Sequence, residues 1–285
     1  MSMNVCVIPA FNRPEYLFVT INLLINCKGA KDIFYVFALD VGYSKKCEEL
    51  IHKHMEGFEY KILYNNGYKY GASKQSFNLL ESYRYACEIA DKYVFLVEDD
   101  IFCGYTFFDT LIKIHEKEPD LFCAIGSKLH NYDYISKDKK QTGNKTTYQT
   151  SKDSVYQSWG VCFRKEVLQK YVLPHANPQF YSNPSKYCML HFPNHFLKGS
   201  FTEQDGLIRR CCDTSPLRIG YPDYPRCYHA GIWSYHRIGE KTFNWTYTRK
   251  VQFILDTCFD AQKMAKYNEY NDVFVADLKV TDEII

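Results

Sequence analysis

The sequence predicts an α/β fold, a mainly parallel sheet flanked by helices with a second, fused half of different pattern. Three observations predict it. Strand-like and helix-like stretches alternate over the first hundred residues. Three of those strands end in polar or charged residues: Asn12 and Arg13, then Asp40, then Glu98, Asp99 and Asp100. In a parallel sheet the carboxyl ends of the strands are where ligands gather. Finally, 285 residues that are 46% hydrophobic suffice for the core of one large domain or two fused lobes.

The elements follow in order. "NVCVIPAF" (4 to 11) is a short apolar strand interrupted by Pro9. "PEYLFVTINLLINC" repeats apolar residues at helical spacing, and Pro14 and Glu15 suit a helix start. "DIFYVFALD" (32 to 40) is β-branched and aromatic and ends in an acid, and "KKCEELIHKHMEG" is an amphipathic helix closed by Gly57. "YKILYNN" (60 to 66) gives a third strand, a loop and helix run from Gly67 to Asp91, and "KYVFLVEDD" gives a fourth strand. Beyond residue 103 the spacing predicts a helix in "YTFFDTLIKIHEKEPD", a strand in "LFCAIGS", and a strand passing into a helix in "VYQSWGVCFRKEVLQKYV". The Lys/Thr-rich stretch from 128 to 154 reads as a loop, either a lid or a solvated insertion. Residues 174 to 200 read as irregular, "TEQDGLIRRCC" as helical from its start, and 240 to 270 as a C-terminal helix with docking segments. The expected division is 1–103 for a half with its binding residues at the strand ends, 104–239 for a second half of different pattern, and 240–285 for a helical segment.

Composition narrows the class. A net charge of +2 does not demand a nucleic-acid partner and does not exclude one. No stretch approaches the ~18 consecutive apolar residues of a membrane helix. The start lacks a basic leader with a long apolar run, so the expected location is the cytoplasm. Twelve cysteines are scattered through apolar runs without C-x-x-C spacing, which fits buried free thiols better than disulfides or zinc.

The stretch "YVFLVEDDIF" (93 to 102) asks for an explanation, because three adjacent carboxylates repel and partial burial raises the cost. A solvated strand end is the plain explanation. The chemical one is a divalent cation, Mg²⁺ or Mn²⁺, held by oxygen ligands together with water and a diphosphate. Such an ion stabilises a departing phosphate.

The stretches "VIPAFNRPEYLFVTINLL" and "FLVEDDIFCGYTFFDTL" resemble the GT-A glycosyltransferases, most closely the N-acetylglucosaminyltransferase I group, which transfers sugars with inversion from UDP-sugars. "SWGVCFRKEVL", "TEQDGLIRR" and "YPDYPRCYHAG" continue the resemblance in the same order, over roughly residues 4 to 231. The resemblance implies a GT-A (Rossmann-like) fold with an acceptor-side subdomain, a nucleotide-sugar donor and a divalent metal. By residue it implies a diphosphate contact for Arg13, with Pro9 in the same stretch at the donor site. It gives Asp40 to the base, Lys74 to a helix bordering the nucleotide, Glu98 and Asp99 to the ribose and donor sugar, and Asp100 to the metal. Trp159 and Gly160 would wall the acceptor pocket. His229, in "YHAGIWSYHR" with Trp233 and His236, would join the metal or the diphosphate, although the most similar group has no histidine there. The general base of an inverting transfer is a carboxylate across the sugar from the leaving group. Asp205 matches that position, with Glu203 as the alternative, and a place near a helix N-terminus favours its ionised form.

Members of the resembled group carry a membrane anchor and stem that this sequence does not show. Two acceptor classes follow: a cytosolic saccharide or lipid-linked glycan, and a hydroxymethylated base of viral DNA. For the latter, Lys137, Lys139, Lys140, Lys145, Arg209 and Arg210 are the cations available to phosphates. A nucleotidyltransferase is the rival enzyme, but "PAFNRPEYL" lacks its glycine-rich loop. A non-catalytic sugar-nucleotide binding protein is the other alternative. The donor sugar and the oligomeric state are left open.

Overall fold

The alternating residues of the first strand decide the architecture. In a computed structural model, which describes residues 3–68, 71–127, 140–142, 146–151, 156–195, 203–222, 225–230 and 247–258, Asn4–Ala10 forms β1. Val5 and Val7 point into one apolar cluster and Cys6 and Ile8 into another. A strand buried on both faces is a central strand of a parallel sheet.

Around it lie β2 (Ile33–Leu39), β3 (Tyr60–Tyr64) and β4 (Tyr93–Leu96), all parallel to β1. The connecting helices are α1 (Pro14–Ile25), α2 (Lys45–His54) and α3 (Gly71–Ile89). The second half adds β5 (Ile101–Cys103), α4 (Phe107–Lys117), β6 (Leu121–Ile125), β7 (Lys140–Thr142), β8 (Thr146–Ser151) and β9 (Val161–Arg164). Next come the short helices α5 (Lys165–Val167), α6 (Pro178–Ser182) and α7 (Pro184–His191), then α8 (Gln204–Thr214), β10 (Arg218–Pro222), β11 (Cys227–His229) and α9 (Tyr247–Cys258).

The main sheet has the order β3-β2-β1-β4-β9-β6-β10-β8-β7, so strands of both halves share one sheet. Within it β9 and β8 run against the other strands. One face is covered by α3 and α8 through Leu79, Leu80, Tyr83, Leu207 and Ile208. The other is covered by α1, α2 and α4 through Leu17, Ile21, Ile51, Phe107 and Leu111. Helix α9 lies on the outside of α1, where Val251 and Ile254 join Tyr16 and Val19, and Lys250 Nζ stands 3.2 Å from Glu15 Oε1.

The structure departs from the sequence reading in definite places. Pro9 lies inside β1 rather than breaking it, paired in register with Ala38. The stretch read as a loop or lid holds β7 and β8, an antiparallel pair that adds to the far edge of the sheet. The run resuming after the acids is β5, which pairs with β11 in a small sheet of its own. Strand β10 was not expected. Each is three to six residues long, too short for periodicity to show; β7, β8 and β10 are also polar or mixed in pattern, while β5 is apolar throughout. The eleven cysteines among the described side chains are buried thiols. No described helix is long and apolar enough to cross a membrane.

Candidate functional site

At the end of β4 the chain turns sharply, Ile101 N–H donating to Glu98 O at 3.0 Å. This turn throws the three carboxylates of the acidic run in different directions. Asp99 and Asp100 are 4% and 3% exposed. Their countercharge is Arg13, which stands just ahead of α1 at the carboxyl end of β1. Arg13 donates to both oxygens of Asp99, from Nε at 3.3 Å and from Nη2, and its Nη1 donates to Asp100 Oδ2 at 2.6 Å. A planar guanidinium is the side chain suited to such a fork. Thr20 of α1 donates to the Asp99 carbonyl at 2.7 Å and pins the turn from below.

The two aspartates differ in acidity. Burial raises Asp99 to about 6 despite Arg13. Burial also acts on Asp100, but Arg13 and His229 outweigh it and bring it to about 2. Glu98 points elsewhere. Its carboxyl is pushed well above the usual range by burial, then by Asp205, then by Asp100.

Asp205 lies in the first turn of α8, in register with that field. Its Oδ2 accepts from Ser158 Oγ at 3.3 Å, while its Oδ1 is buried without a partner. Burial raises Asp205 to about 6, with the Ser158 hydrogen bond working the other way. A buried polar atom left unsatisfied costs about 1–3 kcal/mol, which a hydroxyl donor from a ligand would recover. Glu203 occupies the N-cap position without a side-chain capping bond and adds to the field on Asp205. The helix start is tied to α3 by Ser76 Oγ donating to Gln204 Oε1 at 3.2 Å.

On the β2 side, Asp40 Oδ1 accepts from Asn65 Nδ2 at 2.8 Å and from its neighbour Val41 N at 2.9 Å. Lys74 Nζ lies 3.6 Å from Asp40 Oδ2 and also 3.6 Å from the centre of the Phe11 ring. Burial raises Asp40, partly offset by Asn65 and Lys74. Phe11, Asn65, Ser158 and Thr20 were missed in the sequence, being single ordinary residues that join the site only by register.

The β5–β11 pairing sets His229 opposite Ile101 and so beside the acidic turn. His229 Nε2 is 3.5 Å from Asp100 Oδ2, and its ring stacks on Trp159 at 4.6 Å and 8°. Gly160 has φ of +65°, and an added Cβ would stand 2.5 Å from Cys227 Sγ. Arg13, Asp99, Asp100, His229 and Trp159 thus form one connected cluster, with Asp40 and Lys74 on one flank and Glu98 and Asp205 on the other.

The basic residues divide. Arg210 is 3% exposed and its Nη1 donates to Gly206 O, so it is unfit for a phosphate contact from outside, contrary to its sequence assignment. Arg209 Nε stands 3.8 Å from Asp213. Lys137, Lys139, Lys145, Trp233 and His236 lie outside the described residues, as does the Lys140 side chain.

Among the described residues, no three of His, Cys, Asp and Glu converge to hold a metal ion. The two that remain suitable are Asp100, whose Oδ1 is buried and unpartnered, and His229 beside it. An Asp/His pair fits Mn²⁺ or Mg²⁺ when phosphate oxygens and water complete the shell.

No family model matches the chain, and no curated protein matches it. Solved structures do. TarS of S. aureus superposes with a TM-score of 0.53 at 11% identity, covering 99% of this chain and 46% of that one. Its 1–349 fragment gives 0.50 at 12% identity, covering 99% and 76%. The mannosyltransferase PcManGT of Pyrobaculum calidifontis, solved with GDP-Man and Mn2+, gives 0.44 at 9% identity, covering 66% and 52%. The chain thus spans about half the length of the mannosyltransferase and of the longer TarS chain. Identities this low speak to the fold: a Rossmann-like, GT-A-type sheet flanked by helices.

Proposed function

We propose that this protein is an inverting glycosyltransferase that moves a sugar from a nucleotide sugar to a hydroxyl of a saccharide or lipid-linked glycan. One observation carries the reading: the Arg13–Asp99–Asp100 cluster and the Asp205 carboxylate, with its Oδ1 unpartnered, stand at the same edge of the sheet, joined through the field on Glu98. The fold likeness to TarS supports the architecture and leaves the chemistry to the site.

In this reading Asp40, with Asn65 behind it, reads the nucleobase, and Arg13 and Lys74 face the diphosphate, with Pro9 at the strand end beneath. Asp100 and His229 would hold a divalent cation, which supplies positive charge to the departing diphosphate. Trp159 walls the acceptor pocket, and the Gly160 turn fixes it there. Asp205 takes the proton of the acceptor hydroxyl as that oxygen bonds to the anomeric carbon and the sugar–phosphate bond breaks with its electrons going to the diphosphate. Its acidity near 6 leaves it ionised at neutral pH and a better base than an ordinary carboxylate. The burial of Arg210 removes one cation a DNA backbone would need, which favours the glycan over hydroxymethylated DNA.

The test is thermal stabilisation by UDP, GDP, CDP or ADP, each with Mn²⁺ or with EDTA. One diphosphate is expected to stabilise the protein, more so with metal, and Asp100→Ala to remove the metal-dependent part. If none of the four stabilises it under either condition, the donor-site reading fails.

A further inference from the structure

Two buried side-chain oxygens at this sheet edge, one on a half-buried residue, are not used by the proposed chemistry. Ser127 is 5% exposed and its Oγ makes no hydrogen bond; Gln157 Oε1 is likewise buried and unpartnered. Burying a polar atom without a partner is unfavourable, and native proteins do it where a ligand or ordered water belongs. The unpartnered oxygens of Asp100 and Asp205 are accounted for by the cation and the acceptor hydroxyl. Those of Ser127 and Gln157 are not.

Their placement is set by a tight seam. Strands β6 and β9 pair with Ile125 opposite Val161. Beyond that pair Gly126 N–H donates to Gly160 O and Arg226 N–H donates to Gly126 O, both at 2.7 Å. A Cβ on Gly126 would lie 2.8 Å from the Phe107 ring of α4 and 3.2 Å from Gly160 O across the seam, so glycine fits here and a larger residue would have to displace its neighbours. This register sets Ser127 across from the Gln157–Trp159 segment. In the sheet order, β9 and β6 come directly after β4, whose end carries the acidic turn. Ser158, between Gln157 and Trp159, is bonded to Asp205.

We infer that Ser127 and Gln157 form the subsite that recognises hydroxyl groups of the transferred sugar, an inference that rests on the proposed glycosyltransferase reading. An in-line displacement places the sugar between the diphosphate and the base. Here the diphosphate side is the β1/β4 edge and the base is Asp205; Ser127 lies just past the end of β6 and Gln157 just ahead of β9, next to the Ser158 that donates to Asp205. The amide oxygen accepts a hydrogen bond and the serine hydroxyl donates or accepts one, which is the complement of a polyhydroxylated ring. A site built to bond a hydroxyl also rejects a sugar that lacks it.

The test compares binding of each nucleoside diphosphate with that of its sugar conjugates (UDP against UDP-glucose and UDP-N-acetylglucosamine, GDP against GDP-mannose) by titration calorimetry. Ser127→Ala and Gln157→Leu are expected to lower the preference for the conjugate over the bare diphosphate about tenfold, while diphosphate affinity stays as in the wild type. Ser127→Thr, which keeps the hydroxyl, retains the preference. An unchanged preference in both variants, or an equal loss of diphosphate and conjugate binding, overturns the subsite alone. A wild-type protein that binds no diphosphate and no conjugate overturns the glycosyltransferase reading and this subsite with it.

Discussion

Arg13 shows what one residue can settle. Buried aspartates at adjacent positions are tolerable because a single guanidinium bonds both, and removing it leaves two uncompensated acids in the interior. Breaking a buried pair in this way costs about 3–5 kcal/mol. Arg13→Ala is therefore expected to lower Tm by roughly 10 °C at neutral pH, measured by calorimetry. Arg13→Lys restores the charge without the fork, so it should recover part of that loss. A Tm unchanged in Arg13→Ala would show that the pair does not hold the turn. The sequence made Arg13 and the acids visible, because charged residues at the ends of apolar strands are conspicuous. It did not reveal that they bind one another across 86 and 87 positions, nor the parts of Thr20, Asn65 and Ser158, whose short polar side chains look the same in any loop.

At the scale of elements, the helices and long strands were legible because their apolar periods run for two turns or more. The pieces that build the second half of the site were not. Strand β5 pairs with β11 through three residues, and this pairing brings His229 to Asp100. The seam between β6 and β9 is equally local, and Gly160 is its most constrained position. Alanine there meets both an unfavourable positive φ and Cys227 Sγ, so Gly160→Ala should destabilise the protein by about 1–3 kcal/mol. Adding Cys227→Ala removes the sulfur but neither the dihedral strain nor the Phe107 contact at 3.0 Å, so the double variant should regain only part of the loss. Additive losses in a double-mutant cycle on Tm would rule out this steric account.

Across the whole molecule, the two apolar faces of the sheet stabilise the fold while the site at its edge works against it. Asp99 and Asp205 have acidities raised to about 6, above the ordinary aspartate value of about 3.9. A raised carboxyl gives its full share of stability below the unfolded value and loses it as pH rises through the folded one. Asp100, lowered to about 2, behaves oppositely and loses its share as pH falls from about 3.9 through 2. For the ligand-free protein, Asp205→Asn is thus expected to match wild-type Tm near pH 4 and to exceed it at pH 7.5, while abolishing transfer. A variant less stable than wild type at pH 7.5 would mean that the Asp205 charge is better accommodated than its burial indicates. The reversed course of β9 has a consequence of another kind. Because β9 enters the sheet at the edge where β4 leaves it, its leading segment reaches the site from a stretch of chain more than fifty residues away from the acidic turn. On the proposed reading, the grip on the donor and the wall toward the acceptor would therefore be written in separate passages of the gene, so that a lineage could revise the second, changing what it decorates, while keeping the first letter for letter.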